Sequence, residues 1–181
     1  MSDIQVVTLD LWQTLVLDTR EWARIRTQIR IEDTVEALRE AGEDVTEDQV
    51  REAFRAGYRK CRAVREQGME LLFKEQVETF VRGISEGIME RISRETFAYI
   101  LNRYADAFYD SPPMIAGGVP EMLMELKEAD YRIGLISNTG MTPGRLFRAY
   151  LEEQGIVAFF DHLTFSDEVQ MVKPFPHIFL H

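Results

Sequence analysis

The segment IQVVTLDLWQTL, residues 4–15, decides the fold class of this chain of 181 residues. Apolar side chains occupy both alternating faces of Ile4–Leu11, which is typical of a strand in a parallel sheet that helices cover on both sides. A polar turn, Asp10–Thr14, ends this stretch. The segment therefore predicts a buried first strand whose carboxyl end carries an aspartate.

The last third of the chain predicts two more strands, separated by helices. Proline next to Val119 is typical of a first helical turn, and the helix is expected to reach about Ala129. Tyr131–Ile136 is predicted as the second strand, a helix then runs from Thr142-Pro143 to Gly155, and His162–Phe165 is predicted as the third strand. Strands that alternate with helices in this way indicate parallel βαβ units.

Residues 18–110 have a different character. They contain no proline and are rich in Arg, Glu and Ala. Apolar residues recur at helical spacing, and Thr46 with Gln49 is a plausible capping box at the start of a second helix. Two further helices are expected at Phe73–Met89 and Ser93–Tyr109, which gives four helices and no strand.

The domain organisation follows from these patterns. Residues 1–17 and 111–181 are predicted to form one α/β core with a Rossmann-like parallel sheet, and residues 18–110 are predicted to be a helical domain inserted after its first strand. The Ser-Pro-Pro sequence at residues 111–113 breaks the helical pattern at the return to the core.

Composition and charge narrow the function. The net charge of -10 argues against nucleic-acid binding and against a polybasic membrane anchor. No apolar run approaches the ~20 residues of a membrane-spanning helix, and the single cysteine, Cys61, excludes an intrachain disulfide. We expect a cytoplasmic protein that acts on a small anionic substrate, with a homodimer left open as its assembly.

Polar residues follow each predicted strand: Asp10, then Ser137 and Asn138, then Ser166 and Asp167. Ligands of open α/β sheets bind beyond the carboxyl ends of the strands, so these side chains can converge in one crevice, together with Lys173. A carboxylate, a hydroxyl group and an ammonium group suit covalent catalysis on an electrophilic, anionic group.

Three segments carry a family resemblance. Asp10-Leu11-Trp12-Gln13-Thr14-Leu15 resembles motif I of the haloacid dehalogenase (HAD) superfamily, Leu135-Ile136-Ser137-Asn138-Thr139 resembles motif II, and Val172-Lys173-Pro174 followed by Ile178-Phe179 resembles motif III. The helical insertion resembles the C1 cap of these hydrolases, which closes over the site and selects the substrate. Three motifs in order on the correct strand ends make the resemblance specific.

The resemblance implies roles for particular residues. It makes Asp10 the nucleophile, Ser137 the ligand of the transferring group, and Lys173 the residue that holds the nucleophile and the charge of the substrate. We assign Thr14 and Asn138 to substrate binding, although Thr14 can equally cap a helix and Asn138 can form an ordinary turn.

The arginines of the insertion are interpreted mostly as a solvated helix face. Arg20 and Arg24 lie nearest to motif I along the chain and are the candidates to grip a carboxylate or phosphate group. Asp167 and Glu168 are interpreted as solvated loop acids.

Trp12 departs from the phosphatases of this family, which carry there a second aspartate as general acid and base. Loss of such help typically costs ~10²–10⁴ in rate. Trp12 therefore fits 2-haloacid dehalogenation, in which the leaving halide needs no proton, or hydrolysis of esters with weakly basic leaving groups. Gln13 in place of the dehalogenases' usual Gly, and Ser-Asn-Thr at motif II, favour the phosphatase type. The sequence favours a phosphatase-type hydrolase; a dehalogenase and a non-catalytic relative are the alternatives.

The second departure is the absence of motif IV, an acidic segment expected after Lys173. In phosphatase members it completes a Mg²⁺ site with the nucleophile and the carbonyl of the residue two positions later, here Asp10 and the backbone oxygen of Trp12. A dehalogenase would need no metal. We expect a core that is incomplete at its C-terminus, a fragment of a longer protein, in which the first strand becomes an exposed edge.

Overall fold

The computed structural model describes residues 4–180 of the chain. Backbone contacts divide it into two compact units. The residues up to Thr19 and those from Pro113 onward form the first, which we call the α/β unit, and Arg20–Pro112 form the second, the helical unit. No helix among residues 4–180 is long and apolar enough to cross a membrane.

The α/β unit is built on a parallel sheet of three strands, β1 (Val6–Leu9), β4 (Arg132–Ser137) and β5 (His162–Phe165). Strand β4 lies between the other two, so the order is β1-β4-β5. Helices α6 (Val119–Glu128) and α7 (Gly144–Glu153) connect the elements that the sequence predicts, so the α/β class with parallel βαβ units is confirmed. The main apolar core of the unit lies around β4, where Ile133 and Leu135 are fully buried, and around Phe147 of α7.

Strand β1 differs from its sequence prediction. It pairs with β4 from Val6↔Arg132 to Leu9↔Leu135 and lies at the end of the described sheet. Val6 is 54% exposed and Val7 is only half-buried, so the strand is not covered on both faces among the residues described. Among residues 4–180, β1 is therefore an edge strand with a partly exposed apolar side chain.

A two-stranded ribbon, which the sequence reading did not predict, occurs in the same unit. Strand β2 (Val16–Leu17) pairs antiparallel with β3 (Met114–Ile115). Each strand has only two residues, which is too short for a periodic pattern to be recognised. The backbone N–H of Ala116 also donates to the carbonyl oxygen of Leu15, at 2.9 Å. The ribbon thus holds together the two chain segments that lead to and from the helical unit.

The helical unit contains five helices in the described range rather than the predicted four. They are α1 (Arg20–Glu40), α2 (Glu47–Arg65), α3 (Phe73–Arg82), α4 (Ile88–Arg91) and α5 (Arg94–Asp110). The predicted capping box is confirmed, because Thr46 and Gln49 exchange side-chain-to-backbone hydrogen bonds at the start of α2. The single predicted helix Phe73–Met89 was wrong: the chain leaves α3 at Gly83, and Gly87, at a left-handed φ of 67°, precedes α4.

The interior of the helical unit is aromatic and also holds charge. Tyr104 packs against Phe54 and Phe80, with ring centroids 6.0 and 5.7 Å away. Arg30 lies over the Tyr104 ring, with its guanidinium carbon 4.9 Å from the centroid, and donates to the Tyr104 carbonyl oxygen at 2.8 Å. Burial lowers the pKa of Arg30 to about 10 and raises that of Tyr104 to about 12. Arg26 and Arg30 are both buried, so the expectation of a solvated arginine face was wrong for these two.

Candidate active site

The carboxyl ends of the three parallel strands place the predicted polar residues at one edge of the sheet. Asp10 directly follows β1, Ser137 ends β4, and Ser166 directly follows β5. The register fixes their spacing, because Leu9 pairs with Leu135 and Ser137 pairs with Phe165. The sheet thus provides the convergence that the strand-end rule predicts.

Lys173 joins Asp10 although 163 residues separate them along the chain. Its ammonium nitrogen donates a hydrogen bond to Oδ1 of Asp10 and a second to the carbonyl oxygen of Ile136, at 2.6 Å. The side chains of Asp10 and Lys173 are 40% and 22% exposed, so the ion pair is accessible from solvent. An ammonium group has three N–H donors, and two of them are used here.

The side chain of Asn138 contacts the backbone of Lys173. Its Nδ2 donates to the carbonyl oxygen of Lys173 at 3.1 Å, and its Oδ1 accepts from the backbone N–H of Lys173 at 2.9 Å. The structure therefore brings Asp10, Asn138 and Lys173 together, and both the oxygen and the nitrogen of the Asn138 side-chain amide are hydrogen-bonded to the backbone of Lys173.

The two predicted hydroxyl groups differ in accessibility. Ser137 is completely buried, and its hydroxyl group donates to the carbonyl oxygen of Asn138 at the long distance of 3.4 Å. Thr14 is exposed in the turn after β1, where its backbone N–H donates to the carbonyl oxygen of Leu11 at 3.3 Å. Thr14 is thus exposed to solvent, whereas Ser137 is buried.

Trp12 occupies the position where a general acid would be expected. Its ring is partly buried and meets that of Phe147 edge-to-face, with centroids 5.4 Å apart. This contact is typical of aromatic packing in a core. Trp12 therefore packs against Phe147 and supplies no titratable group at this position.

A buried polar cluster supports the loop after β4. The backbone N–H of Thr139 donates to the hydroxyl oxygen of Ser166 at 3.0 Å, and the Thr139 hydroxyl lies 3.2 Å from the same atom. Asp167 accepts from the backbone N–H of Gly144 with both carboxylate oxygens, at 3.1 and 3.2 Å. The location of Ser166 and Asp167 could be predicted because both follow the third predicted strand. Their hydrogen-bond partners could not, because those partners lie in other elements of the fold.

Asp167 is only 6% exposed, so its interpretation as a solvated loop acid was wrong. Burial raises the pKa of this carboxyl group above its usual value, and the hydrogen bonds from Gly144 and Thr139 oppose that effect. Its neighbour Glu168 is exposed, as predicted, and forms an ion pair with Arg148 at 2.6 Å.

The remaining predicted ligands, Arg20 and Arg24, lie in α1 of the helical unit and are exposed. The proposed metal ligands in the α/β unit are the Asp10 carboxylate and the Trp12 carbonyl oxygen. Mg²⁺ prefers six oxygens in octahedral geometry, and residues 4–180 contain no group of three acidic, histidine or cysteine side chains that could hold a metal. The described residues therefore do not form a complete magnesium site by themselves.

The family is decided by comparison with known proteins. The model of the haloacid dehalogenase-like hydrolase family matches residues 4–181. This chain is a HAD-family hydrolase. The match favours an enzyme over the non-catalytic alternative, and no curated protein matches the chain with significance.

Solved structures with the HAD fold include both branches considered above. A 2-haloacid dehalogenase from Pseudomonas syringae pv. Tomato is 16% identical, with a TM-score of 0.66, over 98% of this chain and 70% of that one. A HAD phosphatase from Thermococcus onnurineus is 18% identical, with a TM-score of 0.57, over 98% and 69%. A magnesium-bound HAD-hydrolase from Bacillus subtilis is 14% identical, with a TM-score of 0.52, over 98% and 70%. At these identities the likeness shows the fold of this HAD hydrolase and not its substrate.

Proposed function

We propose that this HAD hydrolase cleaves small phosphate esters with weakly basic leaving groups, through a covalent intermediate on Asp10. The observation that carries the proposal is the contact of the Lys173 ammonium with Oδ1 of Asp10 at the carboxyl edge of the sheet. A carboxylate that is partly exposed and held by a cation is suited to attack an electrophile.

Lys173 serves two purposes in this reaction. By binding one oxygen of Asp10 it holds the carboxylate in a defined orientation, which avoids part of the entropic cost of attack. Its positive charge also offsets the repulsion between an anionic nucleophile and an anionic substrate. The third N–H donor of the ammonium group is the natural ligand for an oxygen of the transferring group.

The reaction has two balanced steps. An oxygen of Asp10 forms a bond to phosphorus while the bond between phosphorus and the leaving oxygen breaks, and the leaving group departs with that electron pair. Water then forms a bond to phosphorus, the bond to the Asp10 oxygen breaks, and inorganic phosphate and the free carboxylate are released. One proton from the water goes to solvent or to the departed group.

Trp12 limits the leaving group. Because the indole N–H of Trp12 is far too weak an acid to protonate an alkoxide, we expect the departing group to be one that is stable as an anion. Phenols and carboxylates meet this condition, whereas simple alkoxides do not. We therefore expect aryl and acyl phosphates to be cleaved about 10²-fold or more faster than alkyl phosphates of similar size.

The same observation favours a second candidate, hydrolysis of 2-haloacids. There, an oxygen of Asp10 forms a bond to the carbon that bears the halogen, and halide departs with the electron pair and needs no proton. Water then attacks the carbonyl carbon of the aspartyl ester, and a hydroxyacid is released. This reaction has no need for the magnesium ion that phosphatase-type members use.

Parallel assays distinguish the two candidates. The protein is incubated with 4-nitrophenyl phosphate, an alkyl phosphate and L-2-chloropropionate, each with Mg²⁺ and with EDTA. Release of nitrophenol that needs Mg²⁺ and disappears in Asp10→Asn supports the phosphatase. Chloride release that EDTA does not affect assigns the dehalogenase. Equal rates on aryl and alkyl phosphates would contradict the role given to Trp12.

A further inference from the structure

Lys173 does not belong to a helix or a strand. It lies between the short helix α8 (Ser166–Val169) and a 3₁₀ turn at Pro176–Phe179. A lysine side chain has four rotatable bonds and loses considerable rotamer entropy when it is fixed. A loop residue of this kind needs external contacts if its ammonium group is to remain at one point.

Two residues supply those contacts, Ile136 near the end of β4 and Asn138 directly after it. Ile136 accepts a hydrogen bond from the ammonium group with its carbonyl oxygen, at 2.6 Å. Two residues later, the Asn138 side chain binds both the backbone N–H and the backbone carbonyl group of Lys173, at 2.9 and 3.1 Å. The lysine is thus held at both ends, its backbone by Asn138 and its ammonium group by Ile136.

The Asn138 amide resembles one rung of a β-ladder in this respect. It offers one acceptor and one donor to a single residue, as a neighbouring strand would. The pairing also fixes the orientation of the amide, because only Oδ1 can accept from an N–H group and only Nδ2 can donate to a carbonyl oxygen. An ionised aspartate, which has no donor, and an alanine, which has neither a donor nor an acceptor, cannot make both bonds.

We propose that Asn138 is a positioning residue that fixes the backbone of Lys173 and thereby places its ammonium group against Asp10. The proposal rests on the function proposed above for Asp10 and Lys173. It differs from the sequence-based assignment of Asn138 to substrate binding, because it rests on the hydrogen bonds that join the Asn138 side chain to the backbone of Lys173.

The kinetic test is a double-mutant cycle with Asn138→Ala, Lys173→Ala and the double variant, on the better substrate from the parallel assays. Asn138→Ala is expected to lower kcat by about 10²-fold, with a smaller change in KM, because a misplaced catalytic group can cost that much. In the Lys173→Ala background the same substitution should cost less than about threefold, since its effect passes through the lysine side chain. Asn138→Gln, which keeps the amide oxygen and nitrogen on a side chain longer by one methylene, should recover part of the loss.

A second measurement does not depend on activity. The protein contains four lysines, Lys60, Lys74, Lys127 and Lys173, and their acetylation by a small anhydride can be followed by mass spectrometry. In the unchanged protein Lys173 should react slowly relative to Lys60 and Lys74. In Asn138→Ala the reaction of Lys173 should speed up several-fold while the other three stay the same. Asn102→Ala, an exposed asparagine of α5, is the matched control and should change none of them.

The outcomes separate the two proposals. If Asn138→Ala leaves the acetylation of Lys173 unchanged, or if its kinetic cost is the same with and without Lys173, the positioning role is overturned and a direct substrate contact takes its place. If acetylation responds but no substrate is turned over by any variant, the positioning of Lys173 stands and the proposed hydrolysis fails.

Discussion

Each of the two units of this HAD hydrolase contains an ion pair, and the two pairs differ in how far the carboxylate is exposed to solvent. In the helical unit the Glu70 side chain is completely buried and its carboxylate contacts Arg65 at 2.6 Å, the backbone N–H of Leu71 at 3.2 Å and the side chain of Gln76 at 3.5 Å. In the α/β unit Asp10 contacts Lys173 but keeps 40% of its side chain exposed.

The difference separates a structural pair from a reactive one. A carboxylate removed from water needs several hydrogen bonds to offset its desolvation, and Glu70 has them. A carboxylate that must form a bond to a substrate has to keep an oxygen accessible, as Asp10 does. We therefore expect substitutions at the first pair to lower stability and substitutions at the second to lower activity.

The largest effect is expected for Asp10→Asn. Without the nucleophile, kcat should fall by at least about 10³-fold, whereas the free energy of unfolding should change by less than about 1 kcal/mol because the ion pair is partly solvated. Initial rates and urea unfolding of the same preparation measure the two quantities. If Asp10→Asn instead lowers the free energy of unfolding by several kcal/mol, the distinction between a structural pair and a reactive pair is wrong.

Glu70→Ala should show the reverse. Removal of one partner of a buried pair costs about 3 kcal/mol, at the low end of the usual range because Arg65 remains 18% exposed. The activity of the folded fraction should stay within about twofold. Glu52, which pairs with Arg59 at 3.2 Å but is 63% exposed, supplies the matched control, since Glu52→Ala should change the urea midpoint little. A loss for Glu52→Ala as large as that for Glu70→Ala would count against burial as the cause.

The sequence predicts most of the α/β unit because its signals are local. The strands Arg132–Ser137 and His162–Phe165 differ by at most one residue from the ranges expected from their apolar patterns. The break between α3 and α4 was missed because Gly83 and Gly87 lie within an otherwise helical pattern, and such isolated glycines are tolerated in helices as well as found at their ends.

The sequence predicts which residues form the candidate site, but it does not predict the hydrogen bonds between them. Asp10 and Lys173 follow from their place in the motifs, whereas the two hydrogen bonds of Asn138 depend on a loop that returns to the end of β4 35 residues later. The burial of Asp167 was also missed, because an acidic residue in a loop is usually solvated and its partner Gly144 lies in another element.

Gly144→Ala tests how closely the elements behind the site are packed. A Cβ atom at this position would lie 2.6 Å from Cβ of Phe165 and 2.7 Å from Oε1 of Glu168, so helix α7 or the end of β5 would have to move. Overpacking of this kind costs about 1–3 kcal/mol, measurable as a lower urea midpoint. Gly117→Ala is the control, because nothing lies within 4 Å of its added Cβ, and its midpoint should be nearly unchanged. Equal midpoints for the two variants would show that α7 can move away from Phe165 freely.

The smallest effect is expected for Asp167→Asn, and its sign depends on pH. Because burial raises the pKa of Asp167, the folded protein holds this proton more tightly than the unfolded chain does. The carboxyl group therefore stabilises the fold below its unfolded pKa, and this contribution is lost as the pH rises through the raised value. An asparagine does not titrate but keeps one oxygen to accept from Gly144. Urea unfolding at pH 4 and pH 7 should show Asp167→Asn gaining stability relative to the unchanged protein at the higher pH. The opposite trend would mean that the hydrogen bonds from Gly144 and Thr139 outweigh desolvation at Asp167.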